Sequence, residues 1–154
     1  MTIEIRELGE IKTLGTTTSI VVLPTNFQDE PTSHQYHSNT LSFYKYARSE
    51  LGLTYLSEPK KLFEQRSSEW FAPILLISHQ LISENPTIVS IICGVISNYI
   101  TSVFRGESEP AVYLRVICEK TKSSKYVEIT YKGNADGLIA IQDAVTKAVE
   151  NEQP

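Results

Sequence analysis

Pro86–Phe104 reads PTIVSIICGVISNYITSVF, nineteen residues without a formal charge. Its polar and small residues are ordered. Thr87, Ser90, Gly94, Ser97, Asn98, Thr101 and Ser102 recur at helical spacing. At about 100° per residue they fill a stripe of roughly 140°, and Ile, Val, Cys, Tyr and Phe take the rest. The spacing predicts a helix. A solvated helix face normally carries Lys or Glu, whereas this one carries only small neutral groups. Ser90, Gly94, Asn98 and Ser102 also fall strictly four apart, the spacing that lets helix backbones approach closely. The expectation is a helix covered on both faces, by its own domain, a partner or lipid, with these four residues taking a second helix from residues 72–83 or from another subunit. Overfilling that contact with Gly94→Leu is then expected to disturb packing or assembly.

Outward from this helix, the window from Trp70 to Phe104 holds one formal charge, Glu84. It reads as two helices, 72–83 and 86–104, broken at Glu84-Asn85-Pro86, with Asn85 suited to an N-cap and Pro73 and Pro86 to first turns. Nineteen helical residues reach roughly 28 Å, against a bilayer core of about 30 Å. The polar stripe argues against a lone span. A membrane hairpin over Ala72–Phe104 therefore stands as an alternative, and a buried helix in a soluble protein as the main reading.

Downstream, Ala111–Glu119 alternates with Val112, Leu114, Val116 and Cys118 on one face. Lys125–Lys132 does likewise with Val127, Ile129 and Tyr131, and the pair reads as a β-hairpin. Gly133-Asn134-Ala135-Asp136-Gly137 then turns into a closing helix, capped by Asn134 or Asp136, whose apolar stripe is Leu138, Ile141, Ala144 or Val145, and Ala148 or Val149. The tail 151–154 is expected to fray.

Upstream, Thr2–Leu8 and Thr18–Leu23 read as strands. Pro24–Thr40 reads as a long polar loop. Asn39 or Thr40 can cap a helix running to about Leu51, stopped by Gly52, with Leu53–Leu56 a short strand. Strand, helix and strand over Ser19–Leu56 fit a βαβ unit. Pro59–Arg66 reads as a short helix or irregular link. The fold class is α+β or α/β. The 154 residues fit one domain, with a subdivision into a strand–helix–strand portion (1–69) and a helix–hairpin–helix portion (70–150) as the finer alternative.

Composition narrows function. Net charge is −4, which gives no reason to expect nucleic-acid binding. A local basic surplus at Lys120, Lys122 and Lys125 reads as a solvated hairpin tip. Cys93 and Cys118 lack CxxC spacing and read as buried free thiols in a reducing compartment. MTIEIRELGE alternates charge and is no signal peptide, so the cytoplasm is the default location. His34-x-x-His37 lacks further ligands at metal spacing and reads as two exposed loop histidines. No G-x-S-x-G, P-loop or G-x-G-x-x-G is present. Neither a catalytic residue, a metal nor a cofactor is expected.

The surface candidates are aromatic. Tyr36, Tyr44, Tyr46 and Arg48 lie close in sequence, and Tyr and Arg are common interface anchors. Trp70-Phe71 reads either as core or as a further partner anchor.

The C-terminal half, with its uncharged helix, two-stranded hairpin, YKGNADGL turn at Tyr131–Leu138 and amphipathic closing helix, resembles the small effector-associated constant components of bacterial conflict systems. The resemblance covers roughly Ala72–Glu152. It implies a non-enzymatic accessory subunit, working by protein–protein assembly in an anti-phage defence complex, whose partner is a larger effector or sensor protein encoded nearby. Self-association is compatible with it. The alternatives are the membrane-inserting effector and a small-ligand, nucleotide-type sensor using the Tyr/His/Arg cluster.

Overall fold

The computed structural model describes residues 1–11, 14, 19–64, 69–120 and 125–150. Their elements are β1 (Thr2–Glu10), β2 (Ile20–Leu23), β3 (Tyr36–His37), α1 (Thr40–Ala47), β4 (Leu53–Tyr55), β5 (Leu62–Phe63), β6 (Trp70–Phe71), β7 (Ile74–Ile77), α2 (His79–Glu84), α3 (Ile88–Val103), β8 (Val112–Glu119), β9 (Lys125–Gly133) and α4 (Ala140–Glu150). The fold is α+β with an open mixed sheet in the order β1-β9-β8-β7-β2-β4, and β6 also pairs with β8. Strands from residues 1–69 and from 70–150 build this one sheet, because β1 pairs with β9 and β2 with β7.

Two parallel crossovers organise it. β2 and β4 are parallel neighbours joined through α1, the unit expected over Ser19–Leu56. β7 and β8 are parallel neighbours joined through α2 and α3. The hairpin β8–β9 forms with Leu114 opposite Tyr131 and Val116 opposite Ile129. Its connection at 121–124 lies outside the described residues, as does the tail at 151–154.

The larger core lies on one face of the sheet. Ile20, Val22, Leu75, Ile77, Leu114, Val116, Val127 and Ile129 point into it, against Phe43 and Ala47 of α1, Ile92, Ile96 and Ile100 of α3, and Ile141 and Val145 of α4. The opposite face is only part-covered. Val21, Leu23, Ile74, Leu76, Ile117 and Tyr126 meet Ile11, Leu14 and Phe27 there, and the Tyr126 hydroxyl donates to the Leu14 carbonyl at 3.0 Å. Beyond them that face carries Glu4, Arg6, Arg115, Glu128 and Thr130 together with the rings of Phe71 and Tyr113.

The first half of the uncharged window differs from the expected helix. Ile74-Leu75-Leu76-Ile77 is a strand, buried throughout. A continuous apolar run has no periodicity with which to choose between helix and strand. Here Ile74 and Leu76 enter the smaller core while Leu75 and Ile77 enter the larger, the pattern of a central strand covered on both sides. The helix begins only at His79, where the Ser78 side chain accepts from the Leu81 N–H at 3.1 Å. Asn85 closes α2 instead of capping α3.

The turn at Gly133–Gly137 is tight for a reason the backbone alone does not reveal. Tyr131 is fully buried, and its hydroxyl donates to the Asn134 carbonyl at 2.5 Å. A Cβ added at Gly133 would sit 2.8 Å from that hydroxyl, and one at Gly137 closer still. Asn134 accepts from the Gly137 N–H at 3.0 Å, capping the short 3-10 turn that precedes α4.

Both thiols are buried and free. Burial pushes Cys93 up to about 11 and Cys118 up to about 12, and it is the main reason Tyr55 is pushed up to about 12, with Tyr44 and Tyr36 adding to it. An acid whose folded pKa is raised stays protonated in the fold after the unfolded chain has released its proton. Stability from these groups is therefore whole below the unfolded pKa and falls as pH rises toward the folded value. We expect an unfolding free energy insensitive to these three groups up to about pH 8, then declining between about pH 9 and 12. Chemical denaturation across that range checks it. A thiol reagent should leave both cysteines unmodified in the native protein at neutral pH, and fast labelling would contradict the burial.

Candidate functional site

Two surfaces stand out: the outward side of the helical layer, and a groove on the polar side of the sheet.

α3 lies between α1 and α4 in that layer. The Ser42 and Tyr99 hydroxyls are 2.9 Å apart, and Ser90 donates to Gln142 Oε1 at 3.0 Å. Ile88, Val89, Ile92, Cys93, Val95, Ile96, Tyr99 and Ile100 are buried. The small-residue stripe is not closely packed within the chain, and residues 72–83 do not supply its second helix. Ser90 is half-buried, but Gly94, Asn98, Thr101 and Ser102 are exposed, and a Cβ at Gly94 would meet nothing within 4 Å. Ile91, 40% exposed, shares this face, whereas Val103, 51% exposed, ends the helix about 180° around from Gly94. The result is an exposed helix face with no charge on it.

The aromatic candidates separate into buried and exposed sets. Tyr36 is in the core, its hydroxyl donating to the Ser57 carbonyl at 2.7 Å. Trp70 is in the core as well, against Phe43 and Tyr99. Neither presents a surface to a partner. Tyr44 stacks on Tyr55 with ring centroids 4.4 Å apart. Arg48 is exposed just past α1. Tyr46 is 40% exposed and lies edge-on to Tyr99 of α3, 5.1 Å between centroids. The aromatic that remains on the surface thus borders the uncharged helix.

His34 and His37 are buried, not exposed. The loop that carries them is pinned from within. Asn26 donates to the Ser33 carbonyl and accepts from the Gln35 N–H. His34 bridges the Asp29 carbonyl at 3.0 Å and Ser57 Oγ at 2.8 Å. A carbonyl can only accept, so Nε2 donates to Asp29, while Nδ1 and the Ser57 hydroxyl share the second hydrogen bond. Tyr36 lies 3.1 Å from the same hydroxyl, so this serine–histidine contact ties two loops together. No group of three or more His, Cys, Asp or Glu side chains among the described residues could hold a metal ion.

His37 leads to the groove. It faces Phe63 across the β3–β5 ribbon, with ring centroids 4.6 Å apart. It also stacks on Phe71 at 5.0 Å with the planes 11° apart. Phe71 in turn faces Tyr113 across β6–β8, at 5.2 Å. Asn39, at the start of α1, fixes this junction by donating to the Phe71 carbonyl at 2.7 Å. Phe71 pairs with Tyr113 and Leu75 with Val116, so β6–β7 carries one residue more than β8 between those pairs. Proline cannot donate to a ladder, and the extra residue bulges at Ala72-Pro73-Ile74. The bulge walls a groove of about 270 Å³ whose floor includes Tyr113 and Arg115.

Arg115 is held in place. Its Nε and Nη2 donate to Glu128 Oε2 at 2.9 and 2.6 Å. Arg6, directly opposite Glu128 in the β1–β9 register, reaches Oε1 at 3.1 Å. Glu128 is buried, its side chain 7% exposed against 24% for Arg115 and 67% for Arg6. A second concavity, lined by Glu4, Arg6, Glu128 and Thr130, shares Tyr113 and Arg115 with the first. The groove thus offers aromatic walls and a fixed guanidinium, which suits binding.

No protein family, curated protein or solved structure matches the chain. No helix among the described residues is long and apolar enough to cross a membrane.

Proposed function

We propose that this chain is a non-enzymatic accessory subunit that works by protein–protein assembly in the cytoplasm, with the outward face of α3 as its contact. The observation that carries the reading is the run of exposed Gly94, Asn98, Thr101 and Ser102, with exposed Ile91 on the same face, at the middle of the helical layer. Interfaces concentrate binding energy in central patches depleted of charge, with tyrosine among the favoured anchors. Tyr46 borders this one. Small residues let a partner helix approach closely, and the absence of Lys and Glu removes the desolvation that charged side chains would add. The resemblance of Ala72–Glu152 to effector-associated components supports a larger effector or sensor protein of a bacterial anti-phage defence complex as the partner.

The membrane-insertion alternative loses ground. Its first arm contains the strand Ile74–Ile77, paired on both sides, so insertion would take a central strand out of the sheet.

Gly94→Arg tests the reading. Nothing within the chain obstructs a side chain there, and replacing a mid-helix glycine by a helix former adds roughly 0.5–1 kcal/mol of stability. The melting temperature is expected to hold or rise slightly, while the complex is lost. Retention of the complex by a folded Gly94→Arg chain would reject α3 as the contact.

A further inference from the structure

We infer that the groove between the β3–β5 ribbon, the Ala72-Pro73-Ile74 bulge and β8 is a binding site for a small planar aromatic molecule bearing an anionic group, carboxylate or phosphate. This goes beyond the assembly reading and uses the other side of the sheet.

Three features carry it. The first is shape. The groove's volume of about 270 Å³ lies just below the roughly 300–1,000 Å³ usual for small-molecule sites, which limits the ligand to a small ring. The second is the wall. Phe63, His37, Phe71 and Tyr113 form a continuous series of ring contacts, built by pairing across two separate ladders and joined where His37 stacks on Phe71. Pro73 closes the side. Such surfaces take a flat apolar ring, by offset stacking or edge-on contact. The third is charge. Glu128 fixes the Arg115 guanidinium through Nε and Nη2, and Nη1 makes no hydrogen bond to the described residues. Two guanidiniums share the one Glu128 carboxylate. Glu4 lines the adjoining concavity with them, so the charges there balance, and what the groove offers an anion is the Arg115 guanidinium itself, which, already oriented, loses little freedom on meeting a carboxylate or phosphate. Ring and anion are therefore recognised by adjacent parts of one groove.

The site makes no use of α3. Assembly and ligand binding are consequently separable, and the failure of either leaves the other standing.

Isothermal titration calorimetry on the full chain tests the inference with benzoate, phenyl phosphate and adenosine monophosphate, and with benzyl alcohol as the uncharged counterpart. We expect saturable binding of at least one anionic probe, about tenfold or more tighter than benzyl alcohol, since charge-assisted hydrogen bonds are roughly twice as strong as neutral ones. The benzoate and phosphate arms tell which anion the groove prefers. Arg115→Lys should weaken binding about tenfold, because an ammonium cannot reproduce the fork. Phe63→Glu is the second variant. It sets a carboxylate at the rim, away from the sheet core, and should abolish binding of the anion with the far-UV circular dichroism unchanged. Absence of saturation at about 10 mM, tenfold above a Kd of about 1 mM, would overturn the inference. So would equal binding of benzyl alcohol, or anion affinity unchanged in a folded Phe63→Glu chain.

Discussion

Gly137→Ala is expected to destabilise the fold by about 1–3 kcal/mol, the usual range for forcing extra volume into a packed site. The cause is local and specific. The new methyl group would fall inside van der Waals contact with the Tyr131 hydroxyl and against the Met1 sulfur. Tyr131 cannot swing away, since its ring is fully buried and its hydroxyl is bound to the Asn134 carbonyl. Gly133 faces the same oxygen, so one phenol makes glycine necessary at two positions. Tyr131→Phe removes the obstructing oxygen along with one hydrogen bond, worth about 0.5–1.5 kcal/mol. The double variant should then lose less than the two single losses added together. Urea unfolding of the four proteins measures this coupling. Strict additivity would show that the hydroxyl is not what excludes the methyl group.

Arg115→Leu is expected to cost about 2–3 kcal/mol, somewhat below the roughly 3–5 kcal/mol for breaking a fully buried pair. It strips both hydrogen bonds from Glu128 Oε2 and leaves a buried carboxylate with Arg6 alone. Arg6 is 67% exposed, and solvent screens what it can offer. Melting should fall by roughly 4–12 °C, at about 2–4 °C per kcal/mol for a chain of this size. Removing the acid instead should be milder, because both guanidiniums can turn toward water. Replacing both Arg115 and Glu128 by leucine should recover most of the loss, since a buried ion pair and an apolar pair are often close in stability. A double variant as unstable as Arg115→Leu would show that the arginine stem, not the charge, holds this face together.

Much of the fold was legible, and the reason is periodicity. The stripe from Thr87 to Ser102 marks α3, and alternation along Ala111–Glu119 and Lys125–Lys132 marks β8 and β9, with the inward faces as read. The βαβ unit followed from Gly52 and the β-branched flanks. Ile74–Ile77 was not legible as a strand, because a residue buried on both sides leaves no alternation to read. The outward placement of the α3 stripe was hidden too. Small neutral residues suit a covered face and an uncovered one equally in sequence, and only the position of α1 and α4 beside α3 decides between them.

The groove was least legible of all. Phe63 and Tyr113 each meet their partner ring through strand register, across long separations in sequence. Arg115 looked like an ordinary outward residue of an alternating strand. His34 and His37 looked like polar loop residues, and Asn26, Ser57 and Phe71 bury them through contacts no local pattern announces. Phe71 was singled out as an anchor, and the structure places it in the groove. Trp70, readable in sequence as core or as anchor, serves the core, and so does Tyr36.

The most direct test of the central claim is the mass of the complex that the tagged chain forms in its native host, purified without detergent, beside its Gly94→Arg variant. A stoichiometric assembly is expected for the unaltered chain, with a larger partner or a second copy, and a folded lone chain for the variant. An unaltered chain recovered alone, or a variant that keeps the same partner at the same stoichiometry, would contradict it.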